Sequence, residues 1–590
     1  MKPLNITASE TPSFIKETVD TYLEEQGDYV SHLMWRLGTK KQGKSGSIPD
    51  AIKRLLKPLP RRLGSVLDKK VTPKMIKQTR NYLAEKLESV ESKKALFRYV
   101  LREPAPLNPV VSYNPDMEVG SLFPRAIEVL NNRPLKMDEQ LVQAVVAHRA
   151  SLPFNQENNE RDKYLPLHVL QIIAEVVSVD DPFYFDYNEM QESGRITERA
   201  RGAGPVNNKI VRFLIEFDRK YKVSPKSKLN FESLLKKRYG LESVHDWASE
   251  VIKAYDVSSD HKLEELYLAL AWHEIESTGE TAKGIEFDAD TSGFTHVLMQ
   301  IGAWKPEMID SNHPKWIKLY KKLAKRLTRC YWAGHLPWDE LVSLAKKIVA
   351  PCQYGGGKHS IPAQILKGVA YNKHTEEWII PKNIESLIPE YFKHFFMVEY
   401  KEGKKLDTPE FGDASDGLDL LTDQVFKGYH MLFKQTYPWV TDLNEKMINW
   451  AEAHVDQVIT DEYGFQRTVH RWDFDDTMDK VPINWNDSRG FKHSGGINPM
   501  TESSFTGLMA NETHHKDAEQ MALLILFLAG LDIPVVSILD AAIVPIEHAP
   551  DLQEAASRTF LEVHSKPTFC VGTEDFKAWD GPAPNVWNFG

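Results

Sequence analysis

The sequence predicts an α+β protein, predominantly helical, with one small antiparallel sheet. Apolar residues recur at helical spacing over most of the chain, as in Leu167–Val177 and Lys262–Glu276. Strand signals are few and gather around two acidic residues, Asp288 and Asp540. At 590 residues the chain exceeds one simple core, so two to four domains are expected.

Composition narrows the class. Hydrophobic content of 42% with 26% charged residues describes an ordinary soluble globular chain. A net charge of -10 argues against a surface coated in basic residues. It does not exclude nucleic-acid binding, because the local field of a groove decides that. Cys330, Cys352 and Cys570 stand far apart with no Cys-x-x-Cys pair, against both structural zinc and a disulfide framework. Met1–Pro12 lacks a signal or transit pattern, and the longest oily run, Met521–Gly530, is too short to span a bilayer. The expectation is a reducing cytoplasm and no membrane partner.

In chain order, residues 13–36 and 75–103 read as amphipathic helices. Between them, residues 36–80 hold fourteen Lys and Arg against Asp50 and Asp68. Such a run is commonly a solvated face; here the imbalance also suits contact with a phosphate backbone. Gly38–Ser45 spells the phosphate-loop pattern, which works only between a buried strand and a helix. Tyr29–Leu37 reads as helix and Gly46–Pro49 as loop, so that match is rejected. Residues 104–160, rich in Pro and Asn, read as a connector. Helical patterns then dominate from Leu165 to Thr278, including Lys209–Tyr221. A basic amphipathic helix follows at Lys315–Tyr331, another begins at Trp338, and more are expected near 385–398, 416–434, 443–460, 514–530 and 549–564.

Chemistry concentrates at Ile285–His296. A short alternating run ends in Asp288 and Asp290, and Ser292-Gly293 then opens a helix. An acid at a strand end beside a small-residue corner suits Mg²⁺, which keeps few protein ligands and leaves its other positions to substrate phosphates. A capped helix start or a glycosyltransferase-like acid pair would read the same way. Asp540 stands alone in the apolar run Val535–Val544, where a carboxylate costs several kcal/mol unless a cation or partner offsets it. On the helix from Trp338, Lys346 precedes Tyr354-Gly355 by eight residues, about 12 Å, near the reach from a nucleotide's outer phosphates to its sugar. Taken singly, that segment is a surface helix with a C-cap, and Pro351 should kink or end it.

Together these segments resemble the single-subunit DNA-dependent RNA polymerases of the phage and mitochondrial type. The family's Asp-x-x-x-Ser-Gly-x-x-His is matched by Asp288, Ser292, Gly293 and His296. Its Arg-x-x-x-Lys helix with a later Tyr-Gly is matched by Lys346, Tyr354 and Gly355, with Val342 where the arginine is expected. Its His-Asp-Ser hairpin is matched as Leu539-Asp540-Ala541. Weaker echoes are Gly194-Arg195, Asp461–Phe465, Asn511–Lys516 and the ending Val586–Gly590; His359 replaces a frequent aromatic. The resemblance covers roughly 180–590, and the region before the first acid is shorter than usual in the family.

It implies a right-hand polymerase with palm, fingers and thumb. Residues 1–175 would form a helical N-terminal domain, 176–284 a thumb and palm-proximal region, and 285–590 the palm and fingers. Within the last, fingers fall near 310–440 and the returning palm near 500–590. It further implies two Mg²⁺ ions on Asp288, Asp540 and the Ala289 carbonyl, with Lys346 and Tyr354 completing the catalytic set. Lys347, Gly355, His296, Arg195 and Arg329 would bind substrate or nucleic acid, Lys347 or Arg329 covering for Val342. His296 has a second reading as a helix-packing histidine. Expected partners are a DNA template, the RNA product and nucleoside triphosphates. The short front part adds an accessory protein for initiation, and the expected setting is a bacterial host cytoplasm during phage infection. The alternatives are a related right-hand DNA polymerase and a non-catalytic nucleic-acid-binding protein that kept the fold.

Overall fold

The computed structural model describes residues 122–365 and 425–589, interrupted by short stretches of which 153–163 and 566–577 are the longest, and short strands at 101–102, 370–372 and 377–379. The basic tract 36–80, the Gly38–Ser45 match, the helices expected at 13–36 and 385–398, and Asp290, His359 and Cys570 lie outside the described residues, as does the helix expected at 75–103 except for Leu101–Arg102, which pair as a strand with Tyr184–Phe185 instead.

The described chain is α+β, mostly helical with small antiparallel sheets. It begins with α1 (Leu122–Asn131), β1 (Leu135–Met137), α2 (Glu139–Ser151) and α3 (Leu167–Val177). This corrects the connector expected over 104–160. Leu122, Phe123, Ala126 and Leu130 lie on one face of α1 and are buried, and Asp138 caps α2 by accepting from the Leu141 N–H. Pro and Asn sit at the ends of these elements rather than dissolving them.

The helix expected over Lys209–Tyr221 is also corrected. Only Lys209–Arg212 is helical; β2 (Ile215–Phe217) follows and pairs with β1, Leu135 opposite Phe217. Ile215 and Phe217 are buried and Glu216 between them is not, a strand's alternation that overrode the helical count. Next come α4 (Pro225–Tyr239), α5 (Val244–Ala254) and α6 (Asp260–Thr278), each opened by a serine cap, Ser224, Ser243 and Ser259.

β3 (Gly284–Ala289) leads into α7 (Ser292–Gln300). Ile285 and Phe287 point into the core, while Glu286 and Asp288 take the other face. The basic helix is shorter than expected: α8 covers Leu319–Leu327, after a turn and extended residues at 311–318. In α9 (Trp338–Gln353), Pro351 lies in the last turn, so the chain completes the helix and leaves it just before Tyr354. Then follow α10 (Lys427–Thr436), α11 (Pro438–Ala453) and the hairpin β4 (Val458–Thr460) with β5 (Gln466–Thr468). Further hairpin pairs at 472–502 show that strands are not confined to the two acids.

The chain returns through α12 (Leu508–Gly530), β6 (Val536–Ile538), β7 (Ala541–Pro545), α13 (Ala549–Val563) and β8 (Trp587–Phe589). The central sheet has the antiparallel order β6-β7-β3-β8. α12 packs against α13, α1 and α7. Buried apolar residues from Leu122 to Trp587 form one contiguous core, which includes both sides of the boundaries expected at 175 and 284.

Candidate functional site

Strand register brings the two acids together. In the β7–β3 ladder Ala541 lies opposite Asp288, and the Ala289 N–H donates to the Asp540 carbonyl oxygen at 3.1 Å. Asp540 occupies the two-residue turn between β6 and β7, half-buried, and Asp288 is exposed at the end of β3. Its neighbour Leu539 has φ +56°, a left-handed conformation that costs a non-glycine residue about 1 kcal/mol. A tight turn with the acid at its tip therefore faces the strand end that carries the other acid.

The end of α9 closes on the same place. A Cβ on Gly293 would lie 2.9 Å from the Tyr354 hydroxyl, so only glycine lets that ring approach the start of α7. Burial first, then the nearby Asp517 and Asp540 charges, pushes the Tyr354 phenol up, so it stays a protonated donor. The ring also meets His514, centroids 4.9 Å apart. Burial and then the Arg195 charge push the His514 imidazole down to about 4, leaving it neutral near pH 7.

Beneath them runs a buried chain of polar groups. His296 Nε2 lies 3.0 Å from Asp517 Oδ1, and His296 Nδ1 lies 2.7 Å from His564 Nε2. His296, Asp517 and His564 are all buried. Both ring nitrogens of His296 are thus engaged inside the protein, as its packing alternative requires. Asp517 Oδ2 lies 3.9 Å from the Arg195 guanidinium.

Two groups of the positions expected from the sequence come together, and the others stand apart from them. Asp288, Ala289 and Asp540 adjoin one another across the β7–β3 ladder. Tyr354, Gly293, His296 and Arg195 are joined to that region through Gly293, His514 and Asp517. Lys346 and Lys347 sit on α9, exposed and half-buried, two turns before Tyr354; Gly355 has φ +79° and ends that element. Arg329 is exposed just past α8. Val342 is half-buried on α9.

Sequence reasoning passed over His514 and Asp517 as members of the site. The available signal was their spacing: three apart on a helix, they share a face, and α12 then turns wholly apolar from Met521. Reasoning on the two acids also passed over a second group. Asp461, His515 and Glu519 are buried, with one ligand atom from each lying within 4.8 Å of the others, and could hold a metal ion. Among the described residues, no helix is long and apolar enough to cross a membrane. No protein-family model matches the chain, and comparison with curated proteins gives no match either.

Proposed function

We propose that the chain synthesises RNA from nucleoside triphosphates on a DNA template. The observation that carries this reading is the register of β7 on β3, which sets Asp288 beside the turn that holds Asp540. Residues distant in sequence meet as two acids at one rim of a small antiparallel sheet, beside a tyrosine held by a glycine.

Asp288, Asp540 and the Ala289 carbonyl would hold Mg²⁺. The donor set fits, being all oxygen, partly open to solvent and short of a full coordination sphere, as a metal shared with substrate phosphates needs. When bound, such ions lower the pKa of an attacking hydroxyl and stabilise charge on the leaving pyrophosphate. The protein's own groups do the rest. Exposed Lys346 and half-buried Lys347 offer charge to the triphosphate. Tyr354, protonated and tilted against a neutral His514, offers a donor and a flat apolar face to the incoming nucleotide. Arg195, 3.9 Å from Asp517, adds a positive charge felt at both Tyr354 and His514. Exposed Lys321, Lys322, Lys325, Arg326 and Arg329 line the outer side of α8 and its end, a suitable run for a nucleic-acid backbone.

Templated primer extension with ribonucleotides, and separately with deoxyribonucleotides, tests the proposal. Ribonucleotide incorporation by the wild type is expected, and Asp540→Asn should abolish it while DNA binding stays nearly intact. Normal incorporation by that variant would end the assignment of the two acids. Preference for deoxyribonucleotides would make the chain a DNA polymerase. DNA binding without pyrophosphate release would make it a non-catalytic binder.

A further inference from the structure

We propose a second cation site, separate from Asp288 and Asp540 and built from Asp461, His515 and Glu519, that takes a zinc-class divalent ion and staples α12 to the β4–β5 hairpin turn. His515 lies on α12 and its Nε2 is 2.6 Å from Asp461 Oδ2 and 3.1 Å from Glu519 Oε1. Its Nδ1 is 3.1 Å from the Ser193 carbonyl oxygen. That second contact is the outer-shell bond that metal-bound histidines usually make: Nδ1–H donates to a carbonyl, which leaves the Nε2 lone pair aimed at the ion.

Two further observations favour an ion over a plain hydrogen bond. A single hydrogen on Nε2 serves one acceptor. Glu519 Oε1, in a residue only 1% exposed, has no hydrogen-bond partner despite lying 3.1 Å from that nitrogen. An ion between the three atoms would satisfy both carboxylates at once. Asp461 is also preset for the task. Its Oδ1 accepts from the Tyr463 and Phe465 N–H groups at 2.9 and 2.8 Å, so Oδ2 is turned toward the histidine. One imidazole and two carboxylates is a donor set zinc accepts without cysteine.

The counter-argument is charge. Lys516 Nζ already sits 2.6 Å from Glu519 Oε2. With that ammonium present, a proton on His515 makes the group neutral, whereas a divalent ion leaves it positive. The nitrogen and Asp461 Oδ2 must also separate, since tetrahedral zinc bonds of about 2.0–2.2 Å hold ligand atoms about 3.3–3.6 Å apart. A proton alone is therefore the rival occupant.

The test uses the full chain, purified without chelator, with Asp288→Asn and Asp540→Asn introduced to remove the other acids. Elemental analysis should find about one zinc or manganese per chain, returning on titration after chelator treatment. Glu519→Gln in that background should lose it. Because Glu519→Gln could fold poorly, Co²⁺ added to the chelator-treated parent provides a second readout: visible absorption bands of nitrogen- and oxygen-ligated cobalt are expected. No retained metal, no Co²⁺ bands and no rise in melting temperature with Zn²⁺ would establish a proton only and overturn the site. None of these readouts depends on RNA synthesis, so failure here and failure of the polymerase reading are distinguishable.

Discussion

Replacing Lys283 by Met should destabilise the protein sharply, and the reason lies one residue before β3. The Lys283 side chain is 2% exposed and its ammonium meets three carboxylates: Asp138 at 2.7 Å, Glu274 at 3.2 Å, and Glu216. These come from the cap of α2, from β2 and from α6, so a single cation ties three elements to the strand bearing Asp288. Breaking a buried pair by removing one partner costs about 3–5 kcal/mol, since it leaves charge without compensation. The acids are up to 29% exposed, and water softens their repulsion, so the lower end of that range, about 3 kcal/mol, is expected.

Burial alone would lower the Lys283 pKa, but Glu216, then Asp138 and Glu274, more than offset it and raise it overall. Its stabilisation is therefore complete below the unfolded lysine value of about 10.4 and is lost only as pH climbs through the higher folded value. Denaturant unfolding at pH 7 with hydrogen exchange over β3 measures the effect. Adding Glu216→Gln to the Met variant should recover part of the loss, because one repelling charge disappears. A loss below about 1 kcal/mol, or strict additivity of the two changes, would refute the picture of one buried cation holding three acids.

Gly293→Ala should lower nucleotide incorporation by about tenfold or more with little loss of melting temperature, because the new methyl displaces the Tyr354 hydroxyl while alanine suits a helix; unchanged rates would show that Tyr354 is not seated by that glycine. Glu198 is buried, which pushes its carboxyl up to about 7 despite the opposing Val206 and Asn207 hydrogen bonds. A carboxyl with a raised folded pKa contributes stability below its unfolded value, which is lost as pH rises from about 4.5 to 7. Glu198→Gln should remove that slope, and parallel unfolding curves for both proteins at pH 5 and pH 7.5 would contradict it.

Legibility in the sequence followed range. Asp288 and Asp540 were readable because each stands in a local pattern: an alternating strand ending in an acid, and an acid alone among apolar residues. That β7 pairs with β3 is long-range, and no local pattern in either segment announces it. The caps Ser224, Ser243 and Ser259 carry a signal within one turn that sequence reasoning did not use. Lys209–Tyr221 failed because a short segment satisfies both periods, and pairing with Leu135–Met137 decided it. The stretch 122–151 was misjudged because Pro and Asn content outweighed a helical face that was present. His515 and Glu519 were missed because their partner Asp461 arrives on a distant hairpin turn.

That hairpin explains why one helix buries so many charges. His514 and Asp517 share one face of α12 and serve Tyr354, His296 and Arg195. His515 and Glu519, four apart, share the adjoining face and meet Asp461 and Ser193. Residues 193–195 are therefore held from both faces, Ser193 through its carbonyl and Arg195 through its guanidinium. Gly194 between them has φ +68°, and a Cβ there would crowd both the Phe123 ring at 3.1 Å and His515 Nδ1 at 3.2 Å. An apolar α12 would gain burial energy yet remove the carboxylate 3.9 Å from the Arg195 guanidinium. Charge in this helix thus sits beside the Arg195 guanidinium, and Phe123 of α1, packed against His515, ties the helix to elements before the first acid.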